Sequence, residues 1–159
     1  MKSSSQQYVR VSGPMLTKSW RWALYALVTL LVATGFAWLI VHYGRSDDAL
    51  PSPMEPWSMK IHGATAMGAI FAVGAMLQRH LLPGWRIARN RAAGVGMCIT
   101  LGLLTVTGYG LYYFDGDALR RAAEWLHWCA GCALPVVLAI HVAAARLSRR
   151  RASSRCRAS

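Results

Sequence analysis

An all-α integral membrane protein, a four-helix bundle with both termini in the cytoplasm, is the fold that this sequence predicts. Three observations predict it. Four long runs contain no Asp, Glu, Lys or Arg: Trp22 to Val41, Ile61 to Gln78, Ala92 to Phe114 and Trp125 to Ala145. The segments between them alternate in charge. The runs also carry histidines at helical spacing. With 159 residues the chain is one domain by size, and it combines 55% hydrophobic residues with a net charge of +12. A soluble domain rarely holds both properties, and the positions of the charges explain how this chain does.

A bilayer core about 30 Å thick needs roughly 20 residues of apolar helix, and all four runs approach that length. In lipid the backbone must satisfy its own hydrogen bonds, so each span is expected to be helical. The first span, about 20–43, reads as a retained signal anchor. Trp38, His42 and Tyr43 stand where a cleavable leader would carry its small residues. The remaining spans are expected at about 57–79, 91–114 and 121–146. Residues 1–19 form a basic arm before this domain of residues 20–146, and residues 147–159 form a basic tail after it.

Orientation follows from the connecting segments. Residues 1–21, the loop from Arg79 to Arg91 and residues 146–159 hold fourteen of the eighteen Lys and Arg and none of the acids. All six acids, Asp47, Asp48, Glu55, Asp115, Asp117 and Glu124, lie in the other two loops. The positive-inside rule then puts both termini in the cytoplasm of a multi-pass membrane protein. Spans 2 and 4 run in the same direction. The tail RLSRRRASSRCRAS reads as attraction to anionic membrane lipid, not as a nucleic-acid surface.

Ionisable residues inside spans are costly and usually serve function. His62 and His80 are eighteen residues apart, five whole helical turns, and share a face of span 2. His127 and His141 are fourteen apart and share a face of span 4 to within about 40°. In parallel helices the outer pair is His62 with His127 and the inner pair His80 with His141. Two facing pairs at two depths suit two stacked haems, each iron taking one imidazole from each helix. Ala66, Ala69, Val73 and Gly131 beside them would leave room for a flat macrocycle; small residues also let membrane helices pack closely. The two ladders differ, with a rise of about 27 Å against about 21 Å. Tilt or a kink at Pro135 would absorb this; otherwise a single pair, the outer one, ligates.

With these residues stated, a resemblance can be named. The string H-x17-H, then PGWR and a basic loop, then TGYGLYY, then WLHW-x2-G with a His fourteen residues after the first, resembles small four-helix bacterial membrane b-type cytochromes. These are similar to respiratory cytochrome b and to the b-type cytochrome subunit of nickel-iron hydrogenase. The resemblance covers roughly Trp57 to Arg146. It implies transmembrane electron transfer with haem b ligands at His62, His80, His127 and His141.

Several residues admit two readings. Arg79, Arg86 and Arg89 beside His80 suit the propionates of an inner haem, and they also satisfy the positive-inside rule unaided. Lys60 and Trp57 suit the same part outside. His42 reads as an interfacial side chain or as an aid to a quinone or a proton exit. Tyr109, Tyr112 and Tyr113 read as an interfacial aromatic belt or as the wall of a quinone pocket. CAGC, from Cys129 to Cys132, has redox-motif spacing but reads more simply as small thiols buried between helices.

The function expected is that of a di-haem b-type cytochrome, carrying electrons between the quinone pool and a periplasmic cytochrome or other redox protein. Any enzymatic role would belong to a complex. Two haem b groups are expected, or one if the ladders do not match. The alternative is a metal transporter or sensor that uses outer His, Cys and Met. A structural anchor that recruits a partner by its tail leaves the histidines unexplained.

Overall fold

The computed structural model describes residues 16–46, 48–86 and 90–155. Its elements in chain order are α1 (Lys18–Tyr43), α2 (Met54–Met76), a π-helical turn (Leu77–Leu81), α3 (Leu82–Arg86), α4 (Arg91–Tyr113) and α5 (Asp117–Arg155). The fold class is all-α. Among the described residues, four helical stretches are long and apolar enough to cross a membrane: Lys18–Tyr43, Met54–Trp85, Arg91–Tyr113 and Asp117–Arg151.

The distribution of side chains matches an apolar solvent. Large apolar side chains point outward, among them Ile40, Phe71, Ile99, Val136 and Ile140. Much of what is buried is small or polar: Ala72, Ala123 and Ala130, with Thr34, Glu55, Ser58, Thr65 and Thr107. In water this pattern would leave an extended apolar surface unpaid for by burial. In lipid, helices associate through small residues and internal hydrogen bonds instead.

Local chemistry explains the helix ends. Thr17 caps α1, its hydroxyl accepting from the Trp20 amide at 3.4 Å. The short link from α4 to α5 turns on Gly116, whose φ of +87° suits a residue without Cβ. α5 runs through Pro135 and continues past Arg146 into the basic stretch assigned above to the tail. Arginines in the last turns of a helix offset the negative end of its dipole.

The π turn was not foreseen, and Pro83 accounts for it. Proline has no N–H to donate, and its ring crowds the carbonyl four residues before it, that of Arg79. The chain responds by widening the preceding turn. The Leu82 amide bonds to the Leu77 carbonyl, five residues back.

Two hairpins build the bundle. α1 packs along α2, and α4 along α5. α1 touches α5 more lightly, and α2 makes no extended backbone contact with α5. A slot therefore separates α2 from α5.

Candidate functional site

Histidines cross this slot at two levels. At the level nearer the α1–α2 and α4–α5 links, here the outer level, the rings of His62 and His127 lie 6.2 Å apart between centroids at an interplanar angle of 66°. At the inner level the rings of His80 and His141 lie 6.1 Å apart at 74°. α2 supplies His62, the π turn supplies His80, and α5 supplies both partners. The unequal spacing on the two helices is partly taken up at the π turn, which holds more residues per turn than an α-helix and so gains less length for the same count.

The outer histidines are seated from the neighbouring helices. His62 Nδ1 lies 3.0 Å from Thr34 Oγ1 on α1. His127 Nδ1 lies 2.9 Å from Thr107 Oγ1 on α4. Both threonines are buried, at 8% and 4% exposure. Each is followed by a glycine that accepts the imidazole edge. A Cβ at Gly35 would stand 3.5 Å from His62 Cε1, and one at Gly108 would stand 3.3 Å from His127 Cε1. Sequence reasoning missed Thr34 and Thr107. The signal available was a Thr-Gly pair in the helix before each outer histidine, ATGF at 33–36 and VTGY at 106–109.

At the inner level His141 Nδ1 is buried with no hydrogen-bond partner among the described residues. Arg79 is exposed beside His80. Arg86 ends α3; its side chain, and the whole of Arg89, lie outside the described residues.

A second polar cluster stands at the link end. His42 Nδ1 lies 3.1 Å from Glu55 Oε2, and Arg45 Nε lies 3.3 Å from Glu55 Oε1. The Trp38 ring stacks on His42 at 4.4 Å. The carboxylate thus joins α1 and its following link to the first turn of α2. Lys60 sits 5.0 Å over the Trp57 ring, and Tyr109 stacks on Tyr113 at 4.3 Å.

The cysteines need a correction. Cys129 and Cys132 are free and exposed on α5, not buried between helices. Cys98 is likewise exposed, and Cys156 lies outside the described residues. Residues at i and i+3 do share a face, and here that face looks away from the bundle.

The donor set can be tested against a metal or a haem. Among the described residues, no three of His, Cys, Asp or Glu converge on one point. The histidines converge in pairs. Two protein nitrogens make half of a tetrahedral zinc site. Two are a full axial set for an iron already held by a macrocycle. The spacing agrees as well. A metal–imidazole bond of about 2 Å puts each ring centre about 3 Å from the metal, so that two rings on opposite sides of one iron stand about 6 Å apart. The residues present fit a bis-histidine haem at each level.

The family model described as prokaryotic cytochrome b561 matches residues 75–155, half of the chain. The matched stretch carries His80, His127 and His141 and spans the π turn through α5. No curated protein and no solved structure matches the chain.

Proposed function

This chain belongs to the prokaryotic cytochrome b561 family, and from that membership we propose that it is a di-haem cytochrome of the bacterial inner membrane, passing electrons between the quinone pool and a periplasmic redox partner. Its family is that of multi-pass bacterial membrane b-type cytochromes that transfer electrons. The proposal adds the ligands, the number of haems and the partners.

One observation carries it. Two helical stretches without extended backbone contact bring histidine pairs together, with ring centroids 6.2 and 6.1 Å apart. His62 and His127 would hold the outer haem, and His80 and His141 the inner one. When bound, each haem supplies one-electron redox chemistry, and closed ligation by two imidazoles suits electron transfer rather than oxygen binding. The protein places the two sites and tunes their electrostatics. Fourteen residues of α5 separate the levels, about 21 Å along the helix, which distributes the sites across most of a bilayer core.

Arg79 and Arg86, at the inner end, would pair with the carboxylates of the inner haem through charge-assisted hydrogen bonds. The basic inner segments favour the cytoplasmic side, which puts the links and the outer haem toward the periplasm. A quinone and a periplasmic cytochrome or similar redox protein would be the exchange partners, with membrane lipid around the outward apolar surface.

Proteoliposomes test the function. Dithionite is added outside, and ferricyanide is trapped within. Trapped ferricyanide should be reduced by the wild type and not by His141→Ala or His127→Ala. A wild type that conducts no faster than empty vesicles contradicts the proposal. Reduction of the haems by an added quinol, followed in a stopped-flow spectrometer, tests the quinone partner separately.

A further inference from the structure

We propose that Thr34 and Thr107 are positioning residues: they lock His62 and His127 in the Nδ1–H tautomer and leave the Nε2 of each ring free to bind a metal. The role of Nε2 as a haem ligand rests on the function proposed above. The tautomer does not.

A hydroxyl has one hydrogen to give. Thr34 gives its own to the Leu30 carbonyl, at 2.7 Å. Thr107 gives its own to the Leu103 carbonyl, also at 2.7 Å. Each oxygen is then left as an acceptor toward the histidine. The hydrogen in the Thr34–His62 and Thr107–His127 contacts therefore belongs to Nδ1. A neutral imidazole carries one N–H. With it on Nδ1, Nε2 keeps a bare lone pair, the form that metal binding requires.

The surroundings hold the ring in that pose. Gly35 and Gly108 stand beside Cε1, the carbon between the two nitrogens, where an added Cβ would come to 3.5 and 3.3 Å. Turning the ring over would lose the hydroxyl contact. The arrangement also occurs twice, once in each hairpin, so a chance contact explains it poorly. Thr65, Thr100 and Thr105 bond back to their own helices in the same way, and none bonds to a histidine.

An acceptor on Nδ1–H makes the imidazole more basic. A more basic axial ligand favours ferric iron and lowers the midpoint potential. The two hydroxyls thus act on the outer site. His141 of the inner site lacks such a bond among the described residues.

The test uses the haem-loaded protein and the variants Thr34→Val, Thr107→Val, Thr34→Ser and Thr107→Ser. In a potentiometric titration each valine variant should raise the midpoint potential of one of the two haem components and leave the other in place. Haem affinity should fall about 10-fold or more, the usual effect of removing such a partner. Serine should restore both. Valine variants that titrate as the wild type overturn the proposal. So does a shift of both components that serine does not rescue, which would signal general loosening. Histidine 15N shifts of the haem-free protein read the tautomer directly. Wild type should show Nδ1–H at His62 and His127, and the valine variants a mixture. Locked tautomers in a protein that takes up no haem would sink the cofactor assignment alone. Mixed tautomers in a haem-loading wild type would sink the role of the threonines alone.

Discussion

His62 on α2 and His127 on α5 hold their rings 6.2 Å apart across a slot where the two backbones make no extended contact. Each ring is held from behind, His62 by α1 and His127 by α4. If both bind one iron, His62→Ala and His127→Ala should each remove one haem of two and leave the other. Pyridine haemochrome analysis of the purified variants checks this. Full haem content in both variants would contradict the outer site.

Gly108 and Gly35 are not equivalent. A Cβ at Gly108 would meet His127 Cε1 at 3.3 Å, tighter than the 3.5 Å that one at Gly35 would leave to His62. Gly108→Ala should therefore disturb the outer site more than Gly35→Ala does. The readout is the bandwidth and midpoint potential of the outer haem. Equal effects would mean that the imidazole edges do not rest on these glycines.

Pro83 sets the π turn that carries His80. Pro83→Ala restores an N–H able to bond the Arg79 carbonyl, so the widened turn can revert to an α-helix. Dropping one residue from the register turns a side chain by about 100°, which swings His80 off His141. The variant should lose the inner haem and keep the outer one, read as one remaining component in a redox titration. Retention of both would show that the π turn is not what sets the position of His80.

Cys129 and Cys132 face outward and form no cluster with other ligands among the described residues. The double variant Cys129→Ser with Cys132→Ser should keep its haem content and its rate of vesicle electron transfer. A loss of either, rescued by no added haem, would return the pair to the mechanism and favour the metal-transporter reading.

The legibility of this molecule in its sequence follows from its solvent. In lipid a histidine is costly, so His62, His127 and His141 stood out within uncharged runs, and helical period together with the charge-set orientation of the spans sorted them, with His80 beyond the end of its run, into facing sets. The four long helices were legible for the same reason. Thr34 and Thr107 were not. Threonines in membrane helices commonly bond to their own carbonyls, as Thr65, Thr100 and Thr105 do here. Only the packing of the hairpins shows which of them also reach a histidine. The π turn had a local cause in Pro83, but widening is one of several answers a helix can give to proline. The outward turn of Cys129 and Cys132 depended on which face of α5 meets α4, a choice that apolar residues on every face do not encode.

The central claim is that the two histidine pairs hold two haems. Its most direct measurement is the haem-to-chain ratio of the purified protein, made with ample haem supply and read by pyridine haemochrome alongside a reduced-minus-oxidised spectrum. The account predicts two b-type haems per chain. A ratio of one would contradict the claim and leave a single ligating pair, and a ratio of zero would remove both sites.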